Sequence, residues 1–129
     1  MKKVWVNGCF DIIHRGHLEL FQFAKSKGEL LIVGIDSDQR VKALKGENRP
    51  FNNQQDRKYF LESIKFIDQV EVFNTEQELE QKIKIIAPDI MIVGSDYKNK
   101  KVIGSKYAEE LVFFDRIDGY STTKILEKK

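Results

Sequence analysis

Apolar residues recur along the chain in short blocks that are separated by glycine, proline and small polar residues. Two of the blocks, residues 30–35 and 90–93, are nearly unbroken apolar runs, which are typical of strands buried on both faces of a parallel sheet. With three further blocks they predict five strands, at residues 3–7, 30–35, 70–73, 90–93 and 111–114.

The segments between these strands carry helical signals. Helices are predicted at residues 18–24, 41–44, 53–66 and 76–87 and from about residue 122. Thr75-x-x-Glu78 is a capping box at the start of one of them, and Pro88 ends it. The alternation of strands and helices predicts an α/β fold, a single doubly wound five-stranded parallel sheet of Rossmann-like or flavodoxin-like order.

Composition limits the class of protein. With 129 residues, 41% of them hydrophobic and 33% charged, the chain suits one globular domain, predicted to span residues 1–129. Its 22 Lys and Arg residues nearly balance 20 Asp and Glu residues, which argues against a nucleic-acid partner. No apolar run approaches the roughly 20 residues that span a bilayer, and no signal-peptide pattern is present. The lone Cys9 excludes an internal disulfide, so we expect a cytoplasmic protein without a membrane partner.

Both histidines of the chain lie in one stretch, residues 6–18, with the sequence V-N-G-C-F-D-I-I-H-R-G-H-L. The stretch follows the first strand and leads into the first helix, so His14 and His17 are predicted at a helix N-terminus beyond the carboxyl end of a strand. Backbone N–H groups and the helix dipole favour an anion there. Gly16 removes a side chain where a phosphate would approach the backbone. The stretch is therefore a candidate phosphate-binding site.

The segment G-C-F-D-I-I-H-R-G-H resembles the G-x-F-D-x-x-H-x-G-H signature of the small nucleotidylyltransferases, the cytidylyltransferase-like family. The resemblance implies a Rossmann-like fold and transfer of a nucleoside monophosphate from a triphosphate to a phosphorylated acceptor, with release of pyrophosphate. It also implies a homodimer, and Mg²⁺ that arrives with the triphosphate. It gives the catalytic role to His14 and His17 and assigns nucleotide binding to Gly8, Cys9, Phe10, Asp11 and Gly16.

Such a transfer requires no protein base, because the acceptor phosphate is already ionised. The protein must supply in-line positioning and positive charge for the phosphoryl oxygens in the transition state. Imidazole N–H groups are compact, directional donors that suit this purpose. Asp11 is a candidate either for orienting the loop or for assisting the bound Mg²⁺. No zinc site is predicted, because the sequence has no His and Cys cluster.

Two further segments carry cations at the spacing of the family. L-K-G-E-N-R-P resembles the L-K-G-x-x-R-P of the heptose-1-phosphate adenylyltransferases, which implies a catalytic role for Lys45 and acceptor binding by Arg49. Arg57, in D-R-K, matches an arginine of several members and is predicted to bind the nucleotide. Asp38 is predicted to bind the acceptor. Lysine offers a point charge and arginine a bidentate fork, and the two are complementary around phosphates.

The C-terminal segment R-I-D-G-Y-S-T-T-K-I resembles the R-T-E-G-x-S-T-T-x-I signature of the family, which implies a catalytic role for Arg116. Hydroxyls at a second helix N-terminus would hold the β and γ phosphates. The segment G-S-D-Y matches family positions after the fourth strand. Nucleotide binding is predicted for Ser121, Thr122, Thr123, Gly94 and Asp96.

Substrate preference differs between two branches of the family. The segments L-K-G-E-N-R-P-F-N and G-S-D-Y-K-N-K-K-V-I-G-S resemble the heptose-1-phosphate adenylyltransferases, whereas Arg116 and its followers resemble the glycerol-3-phosphate cytidylyltransferases. We predict ATP and a sugar 1-phosphate, with CTP and glycerol 3-phosphate as the alternative. A catalytically inactive nucleotide-binding module on the same fold is the alternative from another class. A receiver-type domain is disfavoured because Asn7 and Gly8 stand where it needs an acidic pair.

Overall fold

The computed structural model describes residues 1–115, which form one parallel sheet flanked by helices. In chain order the elements are β1 Lys3–Gly8, α1 Arg15–Lys25, β2 Leu30–Asp36, α2 Asp38–Lys45, α3 Gln54–Glu62, β3 Gln69–Phe73, α4 Glu76–Ile86, β4 Ile90–Gly94 and β5 Glu110–Phe114. Each predicted strand is present and is one residue longer than its hydrophobic block. The predicted final helix lies outside the described residues, together with Arg116, Ser121, Thr122 and Thr123.

The five strands are parallel and lie in the order β3-β2-β1-β4-β5. The prediction of a doubly wound parallel sheet is confirmed. Because β1 is central and its sequence neighbour β2 lies between β1 and β3, the order is the Rossmann-like one of the two that the sequence left open. The chain builds outward from β1 on one side and then crosses to β4 on the other. Strands β1 and β4 therefore flank the point where the strand order reverses.

Both faces of the sheet are covered by helices. On one face, Phe21 of α1 and Leu61 of α3 belong to the same apolar cluster as Val4 of β1. On the other face, Trp5 of β1 packs in a second cluster with Ile83 of α4. All five side chains have an exposed fraction of 0%. Consecutive residues of β1 point to opposite faces, which is why neighbouring side chains serve different clusters.

The predicted end of α3 is wrong. The helix predicted over residues 53–66 spans only Gln54–Glu62. The chain leaves the helix early because β3 has to start beside β2, and Asp68 N donates to Leu31 O at 2.9 Å just before β3 begins. This is a tertiary requirement that helical periodicity does not record.

Helices α1 and α2 each begin three residues before their predicted starts, at Arg15 and Asp38. Thr75 Oγ1 accepts a hydrogen bond from Glu78 N at 3.1 Å, as its position in the capping box predicts. The loop between β4 and β5 contains two short 3-10 turns, Ser95–Tyr97 and Ser105–Tyr107. Within residues 1–115, none of the helices combines the length and the apolar character needed to cross a bilayer.

The contact between Gly34 of β2 and Trp5 of β1 gives a test of the packing. A Cβ atom at position 34 would lie 2.5 Å from Trp5 Cζ2 and 2.7 Å from Trp5 Cη2. Because Trp5 is fully buried, we expect Gly34→Ala to lower the free energy of unfolding by about 1–3 kcal/mol. Urea denaturation measures this change.

The matched control is the same substitution in a Trp5→Phe background. Phenylalanine lacks the two indole atoms that meet the new methyl group, so Gly34→Ala should cost less there than in the wild type. An equal cost in both backgrounds would show that the strain has another origin.

Candidate active site

A cavity of about 550 Å³ opens at the carboxyl edge of the sheet. The last residue of every described strand lines it, namely Gly8, Asp36, Phe73, Gly94 and Phe114. In open α/β sheets ligands bind at this edge, where the strand order reverses. The cavity is therefore in the place that the fold provides for a ligand.

The turn between β1 and α1 is fixed by Phe10. This residue has a φ of 48°, a left-handed conformation that is uncommon for a side chain of this size. Its ring is buried and makes edge contacts with His17, at a centroid distance of 5.3 Å, and with Phe21, at 5.1 Å. These contacts hold the left-handed turn and place the start of α1 against the cavity.

The two histidines cap α1 with their own side chains. His14 is the N-cap residue, and its Nδ1 accepts from Gly16 N at 3.1 Å. His17 Nδ1 accepts from His14 N at 3.2 Å, and the two rings stack with centroids 3.8 Å apart. Since Nδ1 of each ring is a hydrogen-bond acceptor, the proton of each neutral imidazole is on Nε2. The site therefore contains two imidazoles held as Nε2–H donors, and both line the cavity.

Charged side chains around the cavity favour an anionic ligand. Within the described residues, the cationic groups of the lining are Arg40, Lys45, Arg49 and Lys101, and the carboxylates are Asp36 and Asp96. Arg40 Nε donates to Asp36 Oδ1 at 2.7 Å, and its guanidinium lies 5.6 Å from the centre of the Phe73 ring. The described lining thus has four cations against two anions, a balance that suits phosphates.

Asp11 lies behind the cavity wall and not on it. Its side chain is completely buried and holds the segment between α2 and α3. Asp11 Oδ2 accepts from Arg49 Nε at 2.9 Å and from Phe51 N at 2.8 Å, while Oδ1 accepts from Asn52 N at 2.8 Å. Burial alone would raise the pKa of Asp11, but the hydrogen bonds from Asn52, Phe51 and Arg49 outweigh it and lower the pKa below its ordinary value.

Arg57 is also buried, with an exposed fraction of 0%. Its Nη1 donates to Cys9 O at 2.9 Å and to Asp36 O at 2.8 Å. Its Nε donates to Asn52 O at 3.0 Å, and Nη2 donates to the Asp38 carboxylate at 2.9 Å. These bonds join the ends of β1 and β2 to the segment that precedes α3. Arg57 and Asp38 therefore form a structural clamp beneath the site.

The structure brings most of the sequence-predicted residues together. Those that line the cavity are Gly8, Cys9, Phe10, His14, Gly16, His17, Lys45, Arg49, Gly94 and Asp96. The predictions that Asp11 and Arg57 contact the nucleotide do not fit these positions, because both side chains are buried behind the cavity. Asp38 is also outside the lining, but its side chain is 33% exposed and only its Oδ1 accepts from Arg57, so its predicted contact with the acceptor stays a prediction. The predicted roles of Arg116, Ser121, Thr122 and Thr123 concern positions outside the described residues.

Two cationic residues of the lining, Arg40 and Lys101, were not predicted from the sequence. Arg40 lies in the first turn of the helix that follows β2, so its position after a strand was a usable signal. Lys101 follows Lys98 and Lys100 in a loop, and nothing in that lysine-rich pattern distinguishes it. Cys9 lines the cavity as a thiol, because burial raises its pKa against the opposing charges of Lys45 and Arg57.

The donor set also bears on metal binding. Within residues 1–115, no group of three His, Cys, Asp or Glu side chains could hold a metal ion. The two carboxylates of the lining, Asp36 and Asp96, are hard oxygen donors of the kind that Mg²⁺ prefers. The residues present therefore fit an ion that is held mainly by the phosphates of a ligand.

Comparison with known protein families matches residues 5–128 to the family described as cytidylyltransferase-like. The chain is similar to proteins named bifunctional protein HldE. It is 47% identical over 125 residues to the one from Campylobacter fetus and 49% identical over 125 residues to the one from Nitratiruptor. Each match covers 97% of this chain but only 27% of the relative. The chain thus spans about a quarter of the length of these relatives.

The fold is also similar to a solved structure, the lipopolysaccharide core biosynthesis protein from Thermoplasma volcanium. The TM-score is 0.71 at 24% identity, and the match covers 94% of this chain and 99% of that protein. At this level of identity the similarity supports the fold alone.

The network around Asp11 predicts a pH dependence of stability. Because the folded pKa of Asp11 is below that of an unfolded chain, about 3.9, the stabilisation is present above about pH 4 and is lost as the pH falls through the folded pKa. Asp11→Asn removes this titration. We expect its free energy of unfolding to be lower near neutral pH and to fall less than that of the wild type between about pH 5 and about pH 3.

Urea denaturation at a series of pH values measures this difference. If the free energies of unfolding of the wild type and Asp11→Asn fell by the same amount as the pH was lowered, the carboxylate would not stabilise the fold through its charge.

Proposed function

Because the chain belongs to the cytidylyltransferase-like family of nucleotidylyltransferases, we propose that it transfers an adenylyl group from ATP to a sugar 1-phosphate. An oxygen of the acceptor phosphate forms a bond to the α-phosphorus of ATP. The bond between that phosphorus and the oxygen bridging to the β-phosphate breaks, and pyrophosphate leaves with the electron pair. The acceptor resembles a heptose 1-phosphate, as the resemblance to the heptose-1-phosphate adenylyltransferases implies.

The observation that carries this proposal is the pair of stacked imidazoles at the start of α1. Their Nδ1 atoms are fixed by backbone N–H groups, so each ring presents Nε2–H without having to reorient. Donors that are already in place stabilise charge that develops in a transition state more effectively than donors that must be organised first. We assign His14 and His17 to the oxygens of the α-phosphate in the transition state.

The cations of the lining supply the remaining positive charge. We assign Lys45 to the triphosphate and Arg49 to the acceptor phosphate, because a lysine tolerates a changing geometry and an arginine holds a fixed one. Phe114, the last residue of β5, lines the same cavity, and Arg116 is only two positions further along the chain. The family resemblance of their segment is what assigns Arg116, Ser121, Thr122 and Thr123 to the nucleotide site.

Mg²⁺ enters the proposal with the triphosphate. When bound, it neutralises charge on the phosphate oxygens. Asp96, which lines the cavity beyond β4, is the carboxylate we expect nearest to the ion. We do not assign Asp11 as a ligand, because its oxygens already accept from Arg49, Phe51 and Asn52.

Two segments support adenylyl transfer over cytidylyl transfer. The segment L-K-G-E-N-R-P-F-N contributes Lys45 and Arg49 to the cavity lining. The segment G-S-D-Y-K-N-K-K-V-I-G-S contributes Asp96 and Lys101, so both segments border the ligand. Both resemble the heptose-1-phosphate adenylyltransferases. Arg116 supports the alternative, CTP and glycerol 3-phosphate. We also expect from the family resemblance that residues 1–129 form a single cytoplasmic nucleotidylyltransferase domain that dimerises with a second copy.

The substrate prediction is tested by measuring pyrophosphate release from four pairs of substrates. ATP and CTP are each combined with heptose 1-phosphate and with glycerol 3-phosphate, in the presence of Mg²⁺. We expect turnover with ATP and heptose 1-phosphate. Turnover only with CTP would overturn the adenylyl assignment.

Thermal denaturation of the same protein with each nucleotide distinguishes an active enzyme from an inactive nucleotide-binding module. A nucleotide at about 100 times its dissociation constant adds roughly 2.7 kcal/mol to the free energy of unfolding and raises the melting temperature. A raised melting temperature without turnover for any pair would favour the inactive module, and no change with either nucleotide would contradict both alternatives.

The role of His14 is tested with two substitutions that separate its two nitrogen atoms. Asn retains an acceptor near the position of Nδ1 and is itself a preferred N-cap residue, whereas Ala retains neither nitrogen. We expect His14→Asn to keep nearly wild-type stability and His14→Ala to lose about 1 kcal/mol. Both should reduce turnover by about 10² or more, because both lack the Nε2–H donor.

Thermal denaturation and steady-state kinetics on the two variants provide the comparison. Wild-type turnover in His14→Asn would show that only the cap matters and would remove His14 from the mechanism.

A further inference from the structure

The segment 46–53 between α2 and α3 contains neither helix nor strand, yet it presents Arg49 to the cavity. The carboxylate of Asp11 holds this segment by three hydrogen bonds, from the side chain of Arg49 and from the main chain of Phe51 and Asn52. Asn52 Nδ2 in turn donates to Asp11 O at 2.7 Å. Asp11, together with Arg57, which donates to Asn52 O at 3.0 Å, therefore fixes the course of a segment that has no regular structure of its own.

The side chain of Asp11 does not reach the cavity. Its side chain has an exposed fraction of 0%, and it is absent from the lining of the cavity. Burying a carboxylate is unfavourable unless donors surround it, and the three donors that contact it within residues 1–115 all belong to the segment 46–53. The geometry therefore supports a role for Asp11 in positioning the segment 46–53.

The guanidinium of Arg49 is held through its Nε atom. Its Nε is bound to Asp11, whereas its Nη2 is buried and has no hydrogen-bond partner within the described part of the chain. A buried donor without a partner is unfavourable, so this nitrogen is a position where a ligand oxygen would stabilise the complex. A guanidinium held in this way is prepared for a phosphate, because its planar fork matches the phosphate oxygens.

We propose that Asp11 is a positioning residue that orients Arg49, so that the Nη2 edge of the guanidinium binds the phosphate of the acceptor. The proposal rests on the proposed function for the identity of that ligand. Asp11 acts in it only through Arg49, and it contacts neither the nucleotide nor the metal ion.

A double-mutant cycle tests this dependence. The proteins are the wild type, Asp11→Asn, Arg49→Ala and the double variant, each assayed with ATP, Mg²⁺ and heptose 1-phosphate. We expect each single variant to raise the KM for the acceptor by about 10-fold or more and to leave the KM for ATP nearly unchanged. Because Asp11 acts through Arg49, adding Asp11→Asn to Arg49→Ala should raise the acceptor KM no further.

Asp68→Asn is the matched control for a loss of stability. Asp68 also joins a main-chain N–H to a cationic side chain, since its Oδ2 accepts from Leu31 N at 2.8 Å and from Lys25 Nζ at 2.6 Å. It does not line the cavity. We expect this variant to lose stability without a change in the acceptor KM.

Two outcomes would overturn the proposal. If the fold-increase of the acceptor KM in the double variant equalled the product of the fold-increases in the two single variants, Asp11 would act independently of Arg49. A higher Mg²⁺ concentration for half-maximal rate in Asp11→Asn, with the acceptor KM unchanged, would show that Asp11 acts on the metal.

Calorimetric titration of heptose 1-phosphate and of glycerol 3-phosphate into the same four proteins separates this inference from the proposed function. Binding that weakens in the single variants and does not weaken further in the double variant supports the positioning role even if no turnover is observed. If neither acceptor binds to the wild type, Arg49 is not an acceptor ligand and the inference is overturned.

Discussion

Two charged groups buried behind the cavity, the Asp11 carboxylate and the Arg57 guanidinium, determine how the site is assembled. Arg57 donates to Cys9 O and Asp36 O at the ends of two strands. Asp11 accepts hydrogen bonds from the segment that follows α2. Carbonyl and amide groups at strand ends and in irregular segments would otherwise need other partners or water. The geometry of the cavity therefore depends on two side chains that do not form its surface.

The fold was largely predictable because burial on both faces leaves a trace in the sequence. A strand covered on both sides has to be apolar at consecutive positions, so blocks such as residues 30–35 identify strands without any knowledge of their partners. The end of α3 was not predictable in this way. It depends on where β3 pairs with β2, and that pairing is a long-range property of the chain.

The site was predictable only as a set of residues. The motif at the start of α1 indicated His14 and His17 correctly as cavity residues, because a helix N-terminus after a strand fixes their location. A motif does not record which way a side chain points. Asp11 and Arg57 therefore looked like ligand residues in the sequence, although their bonds are directed into the protein. Arg40 was overlooked for the converse reason, since a charged residue at a helix start is ordinary until the topology shows what it faces.

Under the proposed function, the arrangement of charges accounts for a preference for the transition state over the substrates. Cations that bind phosphates equally before and during the reaction tighten substrate binding without accelerating the chemical step. Here Arg40 forms an ion pair with Asp36, and Arg49 forms one with Asp11. Each carboxylate offsets part of the positive charge, which weakens the binding of phosphates that is equal in the ground state and the transition state. The imidazoles differ, because backbone N–H groups hold their Nδ1 atoms as acceptors and leave the proton on Nε2. Fixed, directional donors discriminate between geometries of the phosphoryl group more sharply than a diffuse positive field. In the proposed function we therefore assign catalytic selectivity to the start of α1 and general attraction of phosphates to the surrounding cations.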